Sequence, residues 1–198
     1  MNHPRILVLS GSTRGGSLNT KLAAQVAKRL VLADAEVTRI SLTDFPLPLF
    51  NEDLEHEKGV PDQANRLKRL FAAHQGVFIA CPEYNAGVTP LLKNTLDWIS
   101  RVREADNGAS TAFAGPVFAI SSASPGGFGG MRGLIAMRTI LEVGLNALLI
   151  PNMIAVSGGE SGFTEDGDLA EESNRDRLQA LVTRLLKEAA IRPVQGRL

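Results

Sequence analysis

The sequence is poor in the residues that build disulfides and metal centres. It has one cysteine, Cys81, so an intramolecular disulfide is excluded. Its three histidines are scattered along the chain. The pair His56-Glu57 begins like a zinc-protease motif, but Val60 stands where the second histidine would be needed. We therefore expect no metal site.

The sequence also lacks an excess of charge of either sign, and it has no long apolar run. Lys+Arg and Asp+Glu both total 21, so electrostatics give no reason to expect a nucleic acid or a membrane surface as a partner. No stretch approaches about eighteen uninterrupted apolar residues, the length that suggests a membrane span. No basic segment leads into a long apolar one near residue 1. We therefore expect no membrane span and a cytoplasmic location.

Candidates for a reactive nucleophile are few. Cys81 ends an apolar run and has no CxxC partner, which favours buried packing over a redox role. Residues 159–163 (GESGF) lack the final glycine of a hydrolase nucleophile turn. We expect neither Cys81 nor residues 159–163 to act as a nucleophile.

What remains is the composition of a soluble globular domain. The chain has 198 residues, of which 44% are hydrophobic and 21% charged, so it can bury a core without disulfides or metals. We expect one domain over residues 1–198. Zero net charge also favours self-association, and hence an oligomer.

Short apolar runs alternate with amphipathic helical patterns along the chain. The predicted strands cover residues 5–10, 36–42, 76–81, 115–121 and 147–156. The predicted helices cover residues 17–32, 62–73, 89–101, 131–145 and 168–190, and long loops are expected over residues 43–60 and 102–112. This alternation predicts an α/β fold, a flavodoxin-like doubly wound sheet of five parallel strands in the order 2-1-3-4-5 with helices on both faces.

Three polar loops follow predicted strands, so they share the carboxyl edge of the sheet. They are SGSTRGGSLN after the first strand, PEYNAG after the third and SSASPGGFGG after the fourth. Doubly wound sheets bind their ligands at this edge. The three loops together therefore predict a binding site.

The first loop fits a phosphate. Gly11 and Gly16 have the spacing of a nucleoside-triphosphate loop, but the Lys-Ser/Thr pair that must follow Gly16 is absent. Thr13 breaks the dinucleotide fingerprint. The remaining donors suit a terminal phosphate monoester: the hydroxyls of Ser10, Ser12, Thr13 and Ser17, the amide of Asn19, the guanidinium of Arg14 and the N–H groups of a helix start. The alternative is a well-capped turn with Ser17 as the N-cap.

The second and third loops offer groups that suit a flat ligand. Tyr84 and Asn85 place an aromatic ring and an amide beside the first loop, because the first and third strands are neighbours in this order. The SPGG stretch at residues 124–127 lets backbone N–H groups approach a ligand closely. From residue types alone, PEYN at residues 82–85 could also be an ordinary turn.

Together these stretches resemble the NADPH-dependent FMN reductase family, flavodoxin-like flavoproteins that include chromate and quinone reductases and some azoreductases. The resemblance runs through nearly the whole chain, in GSTRGGSLN, LPLFNEDLE, PEYNAGVTPLLKNTLDW, SSASPGGFGGMRG and GFTEDGDL. It implies a bound FMN whose ligands fall in three groups. These are Ser10, Ser12, Arg14, Ser17, Asn19 and the main chain at Leu18 around the phosphate; Pro82, Glu83, Tyr84 and Asn85 along the isoalloxazine ring; and Ser121, Ser124, Gly126 and Gly127 at the other edge of the ring.

The resemblance also implies the reaction and the assembly. NADPH or NADH would pass a hydride to FMN, and a quinone, an azo dye, free flavin or a metal oxyanion such as chromate would then be reduced in a ping-pong cycle. Because the cofactor carries this chemistry, we expect no catalytic side chain. Family members are typically homodimers or homotetramers, with Trp98, Arg101 and Arg132 as candidates for the interface here. For Trp98 the alternative is core packing.

Two other functions fit part of the pattern. A flavodoxin-type electron carrier would share the fold and the cofactor, but such carriers are usually strongly acidic and this chain is neutral. A domain that has lost its ligand would keep only the fold.

Overall fold

The computed structural model describes residues 3–102 and 111–193. Its strands are β1 (Arg5–Ser10), β2 (Glu36–Ser41), β3 (Gly76–Ala80), β4 (Glu83–Tyr84), β5 (Gly87–Val88), β6 (Val117–Ala123), β7 (Leu148–Leu149) and β8 (Ala155–Val156). Its helices are α1 (Leu18–Leu32), α2 (Glu52–Lys58), α3 (Asp62–Ala72), α4 (Pro90–Arg101), α5 (Thr111–Ala114), α6 (Met131–Thr139) and α7 (Glu172–Ala190).

The parallel sheet has the predicted order. β2, β1, β3 and β6 lie side by side, and β7 and β8 share the fifth position beside β6. This confirms the flavodoxin-like order 2-1-3-4-5. It also places the carboxyl ends of β1 and β3 together, with Ser10 opposite Ala80.

The fifth strand is interrupted, whereas the sequence predicts a continuous strand over residues 147–156. Ile150 donates its N–H to the Phe118 carbonyl at 2.9 Å, and pairing resumes where Ser122 donates to Ile154 at 3.0 Å. Pro151 lies between these two bonds. Because proline has no N–H, it cannot continue the ladder, and β7 and β8 are separated.

The central strand β1 shows why the strands appear in the sequence as unbroken apolar runs. Ile6 and Val8 pack with α1 and α7 on one face of the sheet, and Leu7 and Leu9 pack with α3, α4 and α6 on the other. All four side chains are fully buried. Since helices cover both faces, apolar residues occupy successive positions instead of alternating with polar ones.

The prediction of a continuous loop over residues 43–60 is wrong, because this segment contains α2. Asn51 caps the helix, its Oδ1 accepting the N–H of Asp53 at 2.7 Å and that of Leu54 at 3.3 Å. Glu52 and Asp53 stand in the first turn, where the helix dipole favours negative charge. The charge cluster in the sequence therefore marks the start of a helix.

A hydrogen bond and a ring contact join the segment before α2 to α4. Trp98 donates its indole N–H to the Pro48 carbonyl at 2.7 Å and meets the Phe50 ring edge-on at 5.0 Å. Arg101 pairs with Glu55 of α2 at 2.8 Å. Because Trp98 is fully buried within its own chain, the core-packing alternative is right and its assignment to a subunit interface is wrong.

Some element ends differ from the prediction. The α-helical part of α6 ends at Thr139, and a π-helical turn follows from Ile140 through Gly144. Strand β6 ends two residues later than the predicted fourth strand. Of the predicted loop over residues 102–112, residues 103–110 lie outside the described residues. No helix in the described ranges is long and apolar enough to cross a bilayer.

Candidate functional site

The loops after β1, β3 and β6 meet at the carboxyl edge of the sheet. They enclose a cleft of about 300 Å³, at the lower end of the range for small-molecule sites. Thr89 ties the second loop to the first, its hydroxyl donating to the Gly11 carbonyl at 3.1 Å. The cleft is lined by Ser12, Arg14, Ser17, Leu18, Asn19, Pro82, Glu83, Tyr84, Ala123, Ser124 and Pro125.

The start of α1 presents free donors to this cleft. Ser17 is the N-cap, but its side chain makes no capping bond with any described residue, unlike in the well-capped alternative. The first N–H groups of a helix have no acceptor within it, so those of Leu18 and Asn19 remain available. The structure describes all of α1, and none of its first-turn residues is acidic. The positive end of the helix dipole is therefore left for an external anion.

Arg14 is exposed at the mouth of the cleft. Its two terminal nitrogens reach the carbonyls of Gly15 and Gly16, each at 3.3 Å, which is long for a hydrogen bond. Within residues 3–102 and 111–193, no carboxylate pairs with its guanidinium. The cation is thus free to donate charge-assisted bonds to an anion.

Two hydroxyls shape the first loop from inside. Ser10 Oγ accepts the N–H of Ser12, and Ser12 Oγ accepts the N–H of Arg14, both at 3.3 Å. Gly16 then turns the chain into α1 with φ of 66°, a left-handed conformation that glycine adopts without a steric penalty. Ser12 lines the cleft, whereas Ser10 borders a neighbouring cavity.

The Asn19 side chain serves the fold as well as lining the cleft. Its Nδ2 donates to the Ala123 carbonyl at 2.8 Å, and its Oδ1 accepts the Ala123 N–H at 3.0 Å. This reciprocal pair is buried and joins the start of α1 to the end of β6. One of its two amide N–H groups and its carbonyl oxygen are thus used within the chain. The predicted phosphate contact of Asn19 stays a prediction, and the second amide N–H and the main-chain N–H are the donors left for it.

Glu83 lines the cleft, but its carboxylate is anchored to α6. Oε2 accepts the Gly133 N–H at 2.8 Å, and Oε1 accepts from Arg132 Nη2 at 2.9 Å. Burial alone would raise the pKa of this carboxyl, but the bonds from Gly133 and Arg132 outweigh it and lower the pKa. The carboxylate thus supports the second loop from behind and satisfies a helix start whose N-cap, Gly130, has no side chain.

Tyr84 stands on a tight hairpin formed by β4 and β5. The two turn residues, Asn85 and Ala86, have φ of 50° and 64°, as a two-residue type I′ turn requires. Tyr84 is 57% exposed and offers its ring at the cleft. Asn85 occupies the turn itself and does not line the cleft, so its predicted contact with a ring stays a prediction.

In the third loop, Ser124 lines the cleft and Ser121 does not. Ser121 is fully buried inside β6, with its hydroxyl donating to the Ile120 carbonyl at 2.8 Å. Its assignment to a ligand is therefore wrong, because β6 continues past it to Ala123. Gly126 donates its N–H to Ser124 Oγ at 3.3 Å, and the amides of Gly126 and Gly127 belong to an exposed turn beside the cleft.

Two lining residues were not predicted from the sequence. Ala123 contributes the last position of β6, and Pro125 the next side chain but one. Pro125 packs near Gly159 in the short turn after β8, and Glu160 of that turn forms an ion pair with Lys21 of α1. Pro125 could have been predicted from its position in the SPGG stretch. Its packing against Gly159 could not, because the two residues are distant in the sequence.

The donor set fits a phosphate-bearing aromatic ligand. The start of α1 and Arg14 line the cleft from the first loop, Tyr84 lines it from the second, and Ser124 and Pro125 line it from the third. No group of three or more His, Cys, Asp or Glu residues in the described ranges is placed to hold a metal ion. The fold and the cleft are those of an α/β protein whose candidate binding site lies at the switch point of a doubly wound sheet.

Comparison with known proteins identifies the family within this class. Residues 4–161 match the family described as NADPH-dependent FMN reductase. The chain is 31% identical to an NAD(P)H-dependent FMN reductase of Pseudomonas aeruginosa, over 88% of this chain and 89% of that protein. It is 32% identical to a quinone reductase of Escherichia coli, over 90% and 92%. The flavoenzyme NAD(P)H:(acceptor) oxidoreductase FerB from Paracoccus denitrificans shares the fold, with a TM-score of 0.76, 23% identity, and coverage of 94% and 97%.

The chain therefore belongs to the NADPH-dependent FMN reductase family. Membership implies FMN as the cofactor, NAD(P)H as the hydride donor, and an NAD(P)H-dependent oxidoreductase as the class of enzyme. The family resemblance seen in the sequence is confirmed.

Proposed function

We propose that this protein is an FMN-dependent NAD(P)H:acceptor reductase that transfers two electrons to quinones, azo compounds, free flavin or metal oxyanions such as chromate, in a ping-pong cycle. The observation that carries the proposal is the cleft itself, which is lined by an uncapped helix start, by a guanidinium that pairs with no described carboxylate and by an exposed aromatic side chain. The relatives described as quinone reductases, about one third identical over most of the chain, support a quinone as an acceptor.

In this proposal the first loop holds the FMN phosphate. The N–H groups of Leu18 and Asn19, the hydroxyls of Ser12 and Ser17, and the guanidinium of Arg14 surround the dianion. A charge-assisted bond from Arg14 contributes about 1.5–3 kcal/mol. Ser10, two positions before Ser12 in the chain, fixes the loop by accepting the Ser12 N–H.

The second and third loops hold the flat ring. Pro82 and Tyr84 form one wall, and Ser124 with the amides of Gly126 and Gly127 forms the other. When bound, FMN supplies the redox chemistry by accepting a hydride from NAD(P)H and passing two electrons to the acceptor. The backbone donors of the SPGG turn would favour negative charge at the edge of the ring that they face.

No side chain of the described cleft is required as an acid or base. The Glu83 carboxylate is held by Gly133 and Arg132, and burial raises the pKa of the Cys81 thiol and keeps it protonated. Binding and orientation are then the contribution of the protein. We keep the expectation of no catalytic residue.

We also propose a cytoplasmic homodimer or homotetramer. Arg132 lies over the exposed Phe128 ring at 5.1 Å, and Ile135 on the same helix is exposed too. This surface adjoins the cleft through the bond between Arg132 and Glu83. Sedimentation equilibrium would measure the assembly, and a monomer at micromolar concentration would refute this part.

The proposal is tested by the spectrum and the kinetics of the purified protein. We expect flavin absorbance, rapid bleaching on stopped-flow mixing with NADPH, and parallel initial-rate lines when NADPH and a quinone are varied. A flavin that NADPH does not bleach would favour the electron carrier, and no flavin uptake would favour a domain without its ligand. Converging lines would refute ping-pong turnover.

A charge-matched pair of variants tests the phosphate end. Arg14→Ala should weaken FMN binding about tenfold or more, because it removes the free cation of the first loop. Arg69→Ala removes an exposed arginine of α3 that does not line this cleft, and should leave FMN binding unchanged. Equal FMN retention by both variants after dialysis would show that the phosphate lies elsewhere.

A further inference from the structure

Thr89 is a buried residue at the point where the second loop enters α4, and it does not line the cleft. It is the N-cap of α4. The structure describes the whole of this helix, and the Thr89 hydroxyl caps none of its N–H groups, although a threonine at this position usually does. The hydroxyl donates to the Gly11 carbonyl instead. Among the described residues this is the only hydrogen bond between residues 11–17 and residues 82–89, so the side chain serves the contact between the two loops.

Gly11 is fixed in place by both of its main-chain polar groups and by close packing. Its N–H donates to the Ala80 carbonyl at 2.9 Å, and its carbonyl accepts the Thr89 hydroxyl at 3.1 Å. A Cβ atom at Gly11 would lie 2.8 Å from Leu92 Cδ2 and 3.0 Å from Pro82 Cδ. The main chain of the first loop therefore lies closer to the second loop and α4 than any residue with a side chain would allow.

The bond to Gly11 also fixes the orientation of Ser12. In a planar trans peptide, the carbonyl of one residue and the N–H of the next point in opposite directions. Because the Gly11 carbonyl is directed at Thr89, the Ser12 N–H points the other way, where Ser10 Oγ accepts it at 3.3 Å. Ser12 Oγ in turn accepts the Arg14 N–H at 3.3 Å. A series of hydrogen bonds thus leads from Thr89 to Ser12 and Arg14, and the bond from Thr89 is its buried member, for which water competes least.

We propose that Thr89 is a positioning residue for the FMN phosphate. Its hydroxyl holds the peptide between Gly11 and Ser12, and through it the donors of the first loop, in the geometry that receives the phosphate. The inference rests on the proposed function and assigns part of the phosphate affinity to a residue outside the cleft lining. FMN binding should therefore depend on Thr89 more than riboflavin binding does, because riboflavin has the same ring and lacks the phosphate.

Thr89→Val tests the assignment, because valine is close to threonine in shape but has no hydroxyl. Titration of the FMN-free protein with each flavin, followed by the quenching of flavin fluorescence, measures the Kd. In Thr89→Val we expect the Kd for FMN to rise about fivefold, as the loss of one hydrogen bond implies, and the Kd for riboflavin to rise less than about twofold. Thr89→Ser keeps the hydroxyl and should bring the Kd for FMN back to within about twofold of that of the unchanged protein.

Thr95→Val is the matched control. Thr95 is a buried threonine of the same helix, and its hydroxyl donates to the Leu91 carbonyl at 2.8 Å. This variant therefore loses a hydroxyl bond within α4 that does not reach the first loop. We expect it to leave the Kd for FMN and the Kd for riboflavin within about twofold of those of the unchanged protein.

Four results would overturn the assignment of Thr89. They are an unchanged Kd for FMN in Thr89→Val, equal losses of affinity for FMN and riboflavin, a loss that Thr89→Ser does not recover, and an equal loss of FMN affinity in Thr95→Val. In each case the hydroxyl would not act on the phosphate end of the cleft, and FMN binding by the unchanged protein would leave the proposed function standing. Failure of the unchanged protein to bind FMN would instead refute the proposed function, and this inference with it.

Discussion

Replacing Asn19 with alanine should destabilise the protein more than its position at a helix start suggests. Asn19 and Ala123 are both almost fully buried, and two reciprocal bonds of 2.8 and 3.0 Å join them. Alanine cannot make either bond. The N–H and the carbonyl of Ala123 would then lose partners that water replaces poorly at a buried position.

The magnitude follows from those two main-chain groups. Leaving a buried donor or acceptor unsatisfied costs about 1–3 kcal/mol. A gain of a few tenths of a kcal/mol in helix propensity from alanine offsets part of this. We therefore expect a loss of about 2–4 kcal/mol in the free energy of unfolding, which is a large share of the stability of an ordinary domain.

Urea unfolding of the FMN-free protein measures this loss without a contribution from ligand binding. With a slope of about 2 kcal/mol per molar urea, the midpoint should fall by about 1–2 M. Asn65→Ala is the control, because Asn65 is also helical but makes only one side-chain bond, of 3.4 Å to the Pro61 carbonyl. Identical midpoints for the two variants would refute the reasoning.

Three further predictions concern ionisable groups. Burial and the nearby Arg5 charge lower the pKa of His74 despite its bond to the Leu70 carbonyl. The stability that neutral His74 provides should therefore be lost as pH falls below about 6.5. The urea midpoint of His74→Gln should fall less than that of the unchanged protein over the same drop in pH. Burial raises the pKa of Glu83, but the bonds from Gly133 and Arg132 lower it below the ordinary 4.5, so the stability that the carboxylate contributes should be lost progressively as pH falls below about 4.5; Glu83→Gln should lower the urea midpoint at pH 7 and make the midpoint fall less at acid pH. Burial raises the pKa of Cys81, so a thiol reagent should modify it only in denaturant; modification in buffer would contradict this.

The strands and helices of the sheet could largely be predicted from the sequence because they depend on local signals, and their regular alternation is typical of this strand order. An apolar run such as RILVLS, ended by Gly11, predicts a strand wherever both faces of a sheet are covered. The loop that follows such a strand must lie at its carboxyl edge. The position of Pro151 was also known from the sequence, but its effect on the fifth strand was not. Whether a proline ends a strand or only interrupts it depends on the neighbouring strand, and here β6 pairs on both sides of the break.

The sequence by itself determined which residues could meet a phosphate and a flat ring, since residue type and the order of strands and loops settle that. Only the tertiary structure decided which of those groups are free. The side chain of Asn19 bonds to Ala123, that of Glu83 to Arg132 and the start of α6, and that of Trp98 to Pro48, whereas Arg14 forms no ion pair with a described residue. The physical reason is that a hydrogen bond depends on the distance between two groups, and groups distant in the sequence are brought together only by packing.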